Sequence, residues 1–343
     1  MRPKFAVVFL TFLLCTKLVF SQFPFSVPEY TDSLRKLGEK ILNSKTDFAR
    51  FEANEKFKGL LIFMLSHEGA YDLDFTEVKN LSALTAPDRK FKIFSWIVPK
   101  IDVSYECFGL IYSWNERKKV WETYELKDVK NEITNAEKKV FRKNEWWGAL
   151  YYELIPVKSN GSMYYTLLGW DGSTSISNKK VIDVLSLNPL GQPSFGASLF
   201  SGYGRQQKRI IFEYADFTQM VLRYDKQAYV IEKKKKNSKK SQPKPPKKND
   251  LTSGGFKAQQ NQDDNVKRKR KAADMIVFDH LIPMNSSLQG AYQYYVPEVN
   301  IVDGFIFRDG KWVFMPDIDA RNVVKPIDKA PPKDPKSKIP AVN

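Results

Sequence analysis

Few residues of this chain have the chemistry and spacing of a reactive site. There are two histidines, His67 and His280, and a limited number of carboxylates near the ends of β-rich runs. Asp279 directly precedes His280, and a carboxylate beside an imidazole can fix its tautomer or help to bind a polar ligand. Neighbouring strand residues point to opposite faces, so the pair reaches one site only where a bulge intervenes. The favoured interpretation is a structural histidine, with ligand binding by Asp279 and His280 as the alternative.

Other catalytic signatures are missing. The segment "HEGAY" begins like a zinc-protease helix, but Tyr71 stands four residues after His67, where the second histidine is required. This predicts a local surface hydrogen bond for His67. Cys107 lies in an apolar run and is interpreted as a packing residue. There is no nucleophile elbow, P-loop or dinucleotide-binding glycine pattern, so the sequence predicts no cofactor and no metal.

Two tryptophan motifs could bind a ligand. Trp146 and Trp147 would suit a platform that stacks on sugars, although strand alternation places at least one of them in the core, and packing is favoured. In Trp170-Asp171-Gly172, Asp171 is expected to bond nearby backbone and Gly172 to supply a positive φ, as in a hairpin turn. A ligand-binding role for Asp171 is the alternative.

The secondary structure that would position these residues begins with helices at about residues 28–65. Apolar residues recur at spacings of three, four, seven and three with charged residues between them, at Leu34, Leu37, Ile41, Phe48 and Phe51. Asn43-Ser44 suggests a break between two helices. Either Ser44 or Thr46 could cap the second helix. This segment therefore predicts a pair of amphipathic helices that cover an apolar surface.

From about residue 87 to residue 319 the pattern changes to strands. Short aromatic and β-branched runs such as "FKIFSWIV" and "WWGALYYELIPV" are separated by turn signals, without helices long enough for crossovers. The predicted fold class is α+β, with N-terminal helices followed by a large antiparallel β assembly, either a sandwich or a rolled sheet. A propeller is disfavoured because the strands share no repeated consensus. One domain is predicted over residues 22–323.

The first 21 residues have the pattern of a secretory signal peptide. Cations precede an apolar run over residues 5–14, and the small residues Val19 and Ser21 precede Gln22. Lys17 interrupts the run before it reaches the roughly 20 residues of a membrane anchor. Cys107 would be the only cysteine of the mature chain, which excludes an intramolecular disulfide. We therefore expect export to the periplasm, the outer-membrane periphery or the medium, without a transmembrane span in the mature chain.

Most of the net charge of +16 comes from one segment. Residues 233–271 hold fifteen Lys or Arg against three Asp, lack periodic apolar residues, and are predicted to be a disordered insertion. A loose tail is predicted over residues 324–343. A solvated loop is the favoured interpretation of the insertion, and weak, salt-sensitive contact with polyanions or the envelope surface is the alternative. The cations of that alternative are Lys233, Lys234, Lys235, Lys236, Lys267, Arg268, Lys269, Arg270 and Lys271.

Several strand motifs together resemble a group of uncharacterised exported proteins of Bacteroidetes bacteria. They include "YECFGLIYSW", "WWGALYYELIP", "YYTLLGWDGSTSISNKKVIDVL", "MIVFDHLIP" and "VDGFIFRDGKW", spread over most of the chain from about residue 48 to residue 319. The resemblance implies an exported protein of this bacterial lineage and brings no activity with it. The basic insertion replaces what looks like a short connection in such proteins.

The resulting functional hypothesis is an exported, envelope-associated protein whose role is binding or structural. The alternative is a hydrolase of cell-wall or polysaccharide substrates that uses carboxylates without a recognisable motif, with Asp171, Asp279 or His280 as participants.

Overall fold

The helical segment begins the described part of the chain. The computed structural model describes residues 26–172, 174–234 and 266–318, so the predicted signal peptide and tail lie outside it. Helix α1 spans Val27–Asn43 and α2 spans Asp47–Leu65. Thr46 caps α2, since its hydroxyl accepts a hydrogen bond from the Ala49 amide at 3.2 Å. The predicted helices and the break between them are confirmed, and no helix of the described residues is long and apolar enough to cross a membrane.

Strands of three sheets follow. The N-terminal sheet contains β1 (Leu81–Thr85), β2 (Phe91–Pro99), β3 (Tyr105–Asn115), β4 (Val120–Asp128) and β5 (Glu145–Trp146). The middle sheet contains β6 (Leu150–Ser159), β7 (Ser162–Asp171), β8 (Ser177–Leu187), β9 (Pro193–Phe195) and β11 (Ile210–Ala215). The outer sheet contains β10 (Phe200–Ser201), β12 (Leu222–Lys234), β13 (Val266–Pro283), β14 (Tyr295–Arg308) and β15 (Lys311–Met315).

Neighbouring strands pair mainly as antiparallel hairpins, as predicted. The N-terminal sheet has the order β1-β2-β3-β4-β5, and the outer sheet has the order β10-β15-β14-β13-β12. The middle sheet has the order β11-β8-β7-β6, with β9 beside β8. Only β4–β5 and β10–β15 pair in parallel among the described strands. The sheets do not close into a barrel, and the α+β class is confirmed.

The N-terminal sheet is buried on both of its faces. On one face Trp96 packs against Phe57 of α2, with 5.4 Å between the ring centroids. On the other face Phe91 packs against Tyr165 of the middle sheet at 4.7 Å. Because strand residues alternate between faces, burial on both sides requires the nearly continuous apolar run of β2.

The middle sheet is also covered on both faces. Leu168 and Ile182 point away from the N-terminal sheet and pack with Phe278 and Trp312 of the outer sheet. The Trp312 indole donates a hydrogen bond to the buried Thr166 hydroxyl at 2.9 Å. The layers therefore run from the helices through the N-terminal and middle sheets to the outer sheet.

The β12–β13 hairpin corrects the predicted boundary of the basic insertion. Its ladder continues to Lys234 opposite Val266, so both ends of the predicted insertion at 233–271 belong to paired strands. Hairpin hydrogen bonds are made by the backbone, so a ladder can extend into a segment whose sequence lacks periodic apolar residues. The remainder of the insertion, residues 235–265, lies outside the described residues, as do Lys235 and Lys236.

Candidate functional site

Both tryptophans of the alternative stacking platform lie in the interior. Trp146 is fully buried and Trp147 is 8 % exposed, and both belong to the core between the N-terminal and middle sheets. The Trp146 ring contacts those of Tyr151 and Phe195, with centroids 5.7 Å and 6.3 Å away. The favoured packing interpretation is confirmed for both residues, with Trp146 at the end of the two-residue strand β5 and Trp147 directly after it. Neither ring is a surface on which a sugar could stack.

Asp171 forms a buried ion pair and not the predicted turn contact. It is the last residue of β7, its side chain is fully buried, and its Oδ1 accepts a hydrogen bond from Lys130 Nζ at 2.8 Å. Lys130 follows β4, so this contact joins the N-terminal sheet to the middle sheet. The expected bond between Asp171 and nearby backbone is thus corrected, because the ammonium group of Lys130 bonds Oδ1, while the buried Oδ2 has no hydrogen-bond partner among the described residues.

Asp128 completes the group around Lys130. Its carboxylate lies 3.2 Å from Lys130 Nζ and accepts the Gly148 amide at 3.1 Å. A Cβ at Gly148 would lie only 2.0 Å from Asp128 Oδ2, so glycine is needed for this approach. Cys107 Sγ is 3.7 Å from Lys130 Nζ. The group therefore contains two carboxylates, one ammonium and one thiol.

Burial determines what this group can do. It raises the pKa of Asp171 above its ordinary value, although the Lys130 charge acts in the opposite direction. Burial also raises the pKa of the Cys107 thiol far above its ordinary value, so the thiol stays protonated near neutral pH and is a poor nucleophile. These properties suit a structural ion pair, and the packing interpretation of Cys107 is confirmed by its burial.

Asp279 and His280, the second candidate pair, form hydrogen bonds with different partners. Asp279 Oδ2 accepts the Val221 amide at 2.7 Å, whereas His280 Nδ1 lies 2.7 Å from Asp303 Oδ2 on the neighbouring strand β14. The register between β13 and β14 shifts here, because Asp279 pairs with Val302 whereas Leu281 pairs with Pro297, which leaves the extra residues on β14. His280 contacts Asp303, and it shares no hydrogen-bond partner with Asp279 in these contacts.

The His280–Asp303 pair is the one arrangement among the described histidines that resembles acid–base machinery. The His280 side chain is 43 % exposed, and the Asp303 side chain is 4 % exposed. Asp303 Oδ1 accepts the Asp317 amide at 3.0 Å, which fixes the carboxylate that orients the imidazole. By contrast, His67 Nδ1 bonds the Phe63 carbonyl at 2.9 Å, which confirms its predicted local bond.

A groove of about 390 Å³ lies at the side of the middle sheet, where the β4–β5 connection meets the ends of β6, β9 and β15. Its volume is in the range of small-molecule sites, roughly 300–1,000 Å³. The lining residues are Val140, Arg142, Ser159, Asn160, Tyr164, Ser186, Ser194, Gly196, Ala197, Ser198, Leu199 and Lys311. Sequence analysis missed this site, because its residues are single serines and cations far apart in the chain with no local motif.

The candidate residues thus fall into separate places. Asp171 is held by Lys130, Asp279 by a backbone amide and His280 by Asp303, and none of them lines the groove. Across the described residues, no three His, Cys, Asp or Glu side chains are grouped as a metal site. Comparisons of this chain with protein-family models, curated proteins and solved structures give no match.

We predict that Lys130→Met destabilises the protein by about 3–5 kcal/mol at pH 7, because it leaves Asp171 buried and unpaired. The pKa of Asp171 is already raised in the folded state, so the native state binds the extra proton and gains stability as pH falls. In the Lys130→Met variant, the stability gained as pH falls should be larger than in wild type. Urea unfolding at pH 7 and pH 5 measures the difference between variant and wild type, which should shrink at pH 5.

Two further variants test the cause. Adding Asp171→Asn to Lys130→Met should recover part of the lost stability at pH 7, since the buried carboxylate is removed. Lys127→Met removes an exposed lysine of β4 and should change stability by less than about 1 kcal/mol. An equal loss at both pH values with no recovery in the double variant would show that the charge of Asp171 is not the cause.

Proposed function

We propose that this chain is an exported, non-catalytic binding protein associated with the bacterial cell envelope. Export is supported by the signal-peptide pattern over residues 1–21, and the lineage is supported by the resemblance to exported Bacteroidetes proteins. The observation that carries the binding role is the separation of the candidate catalytic carboxylates. Asp171 and Asp279 each contact a different partner, whereas glycoside hydrolysis needs two carboxyl groups that flank one bond.

The basic part of the β12–β13 hairpin supports polyanion binding. Residues 266–274 pair with residues 226–234 alone, because the β14 pairing begins at Met275. The backbone register of this two-stranded ribbon pairs Lys233 with Lys267. Lys267, Arg268, Lys269, Arg270 and Lys271 are consecutive cations in the sequence of β13. Such a run of positive charge attracts a polyanion such as lipopolysaccharide.

Export is testable with the full chain expressed in a Gram-negative host. We expect cleavage after Ser21, so the protein recovered outside the cytoplasm should have the mass of a chain that begins at Gln22. Leu10→Arg interrupts the apolar run and should retain the uncleaved protein in the cytoplasm. Wild-type protein that stays cytoplasmic with an intact N-terminus would overturn the proposed location.

Polyanion binding is testable by heparin chromatography at increasing salt. The triple variant Lys267→Gln, Lys269→Gln, Lys271→Gln should elute at lower salt than wild type, because fewer counterions are released on binding. A matched control replaces three exposed lysines elsewhere, Lys45, Lys79 and Lys119, with Gln. Elution that does not depend on salt, or an equal shift in both triple variants, would remove the ribbon as the contact.

The exposed His280–Asp303 pair favours a second candidate function, hydrolysis of an envelope polysaccharide. A carboxylate-oriented imidazole can act as a general base, a contribution typically worth about 10²- to 10⁴-fold in rate. If the protein is a hydrolase, His280→Ala should lower reducing-end release from peptidoglycan or capsular polysaccharide by about a hundredfold. His67→Ala is the matched control, because that histidine bonds the backbone carbonyl of Phe63, four residues before it. Absence of turnover by wild type on these substrates would reject this candidate.

A further inference from the structure

We propose that the groove between the β4–β5 connection and the start of β15 binds an acidic saccharide. The inference deepens the proposed binding function and rests on it, but it concerns a site remote in sequence from the basic ribbon. The supporting feature is the composition of the lining, which combines two cations with hydroxyl, amide and phenol groups and has no carboxylate. Each class of lining group matches one chemical feature of such a ligand.

The cations are Arg142 and Lys311. Among the described residues neither forms an ion pair, although Lys311 Nζ donates a hydrogen bond to the Ser198 carbonyl. Arg142 is exposed at one wall, and a guanidinium can bond a carboxylate or a sulfate through two parallel N–H groups. Lys208 adds a third cation nearby, since its ammonium contacts the Ser198 hydroxyl. The lining is therefore positively charged, with no Asp or Glu among its residues. This charge favours an anionic group on the ligand.

The uncharged lining suits the remainder of a sugar. Four serine hydroxyls and the Asn160 amide can bond the hydroxyls of a saccharide, with Ser194 as an acceptor because its hydroxyl already donates to the Phe141 carbonyl. The serines are Ser159, Ser186, Ser194 and Ser198. Tyr164, which is half-buried, adds an aromatic side chain with a polar tip. A bare inorganic anion would leave most of these groups unused.

The wall that carries Arg142 is held in place before any ligand arrives. Phe141 exchanges two backbone hydrogen bonds with Phe195, at 2.8 Å and 3.0 Å, and its carbonyl also accepts the Ser194 hydroxyl at 3.2 Å. The Arg209 guanidinium lies 3.9 Å from the Phe141 ring centroid and donates to the Lys139 carbonyl at 3.0 Å. A rigid wall lowers the entropy cost of binding.

The opposite wall is also fixed by backbone contacts. The Trp312 amide donates to the Leu199 carbonyl at 2.7 Å, which places the residue after Lys311 against the 196–199 segment. Gly196 has a φ of +97°, and a Cβ there would lie 2.8 Å from the Lys139 carbonyl oxygen. Glycine at this position thus lets the two walls approach each other.

The test is isothermal titration of the full-length protein at one low ionic strength. Trigalacturonate is the acidic probe, maltotriose is the neutral probe, and inorganic sulfate reports binding of an ion alone. We expect trigalacturonate to bind and maltotriose to bind at least about tenfold more weakly, which corresponds to roughly 1.4 kcal/mol. Equal binding of the two sugars, no binding of trigalacturonate, or sulfate binding as tightly as trigalacturonate would overturn the proposal.

Variants assign the binding to the groove. Arg142→Gln with Lys311→Gln should weaken trigalacturonate binding at least about tenfold. The charge-matched control, Arg117→Gln with Lys79→Gln, removes two exposed cations outside the lining and should retain wild-type affinity. Thermal unfolding of each variant reports whether it folds. Unchanged affinity in the groove variant would reject this site, while its heparin elution reports separately on the ribbon and the proposed function.

Discussion

The ion pair between Arg209 and Asp183 is the interaction on which the arrangement of the layers depends. Both side chains are fully buried, with Arg209 Nε 3.0 Å from Asp183 Oδ2. Removing two charges from water costs several kcal/mol, which the mutual attraction offsets only when further hydrogen bonds are made. Arg209 makes them to the carbonyls of Ala136 and Lys139, and Asp183 accepts the Val184 amide at 2.8 Å. The pair therefore ties the β4–β5 connection to the middle sheet.

The ion pair between Arg209 and Asp183 is needed because the middle sheet is buried on both faces. Such a sheet has no solvent side to which a polar residue can point, so each of its polar groups needs an internal partner. Asp183 pairs with Arg209, Asp171 with Lys130, and the Thr166 hydroxyl with the Trp312 indole. The two ion pairs attach opposite ends of the 130–139 segment, which carries the chain from β4 toward Arg142. The interior charges thus hold a groove wall without themselves reaching the groove.

Local sequence patterns predicted the helices and the strands, but they did not predict the side-chain contacts between distant residues. Helical spacing and the turn residues gave the helices, and aromatic β-branched runs gave the strands, because these signals depend on neighbours within a few residues. The partner of Asp171 is 41 residues away and that of His280 is 23 residues away, and each contact depends on strand order. Packing was correctly favoured for Trp146 and Trp147, but alternation required only one of them to be buried, since it gives the face of a residue and not what covers that face. The groove had no local signal, because distant loops contribute its serines and cations one at a time.

The ribbon and the groove place different demands on an anionic ligand. Along the ribbon, cations at regular spacing attract charge density and need no defined shape, so binding there should weaken steeply with salt. In the proposed groove site, the hydroxyls would select a ligand by hydrogen bonding, because a ligand that does not match them leaves polar groups unpaired. Salt screens the charges of Arg142 and Lys311 but not those hydrogen bonds. If both proposals hold, specificity depends on the groove, whereas the ribbon contributes attraction that any extended polyanion would share.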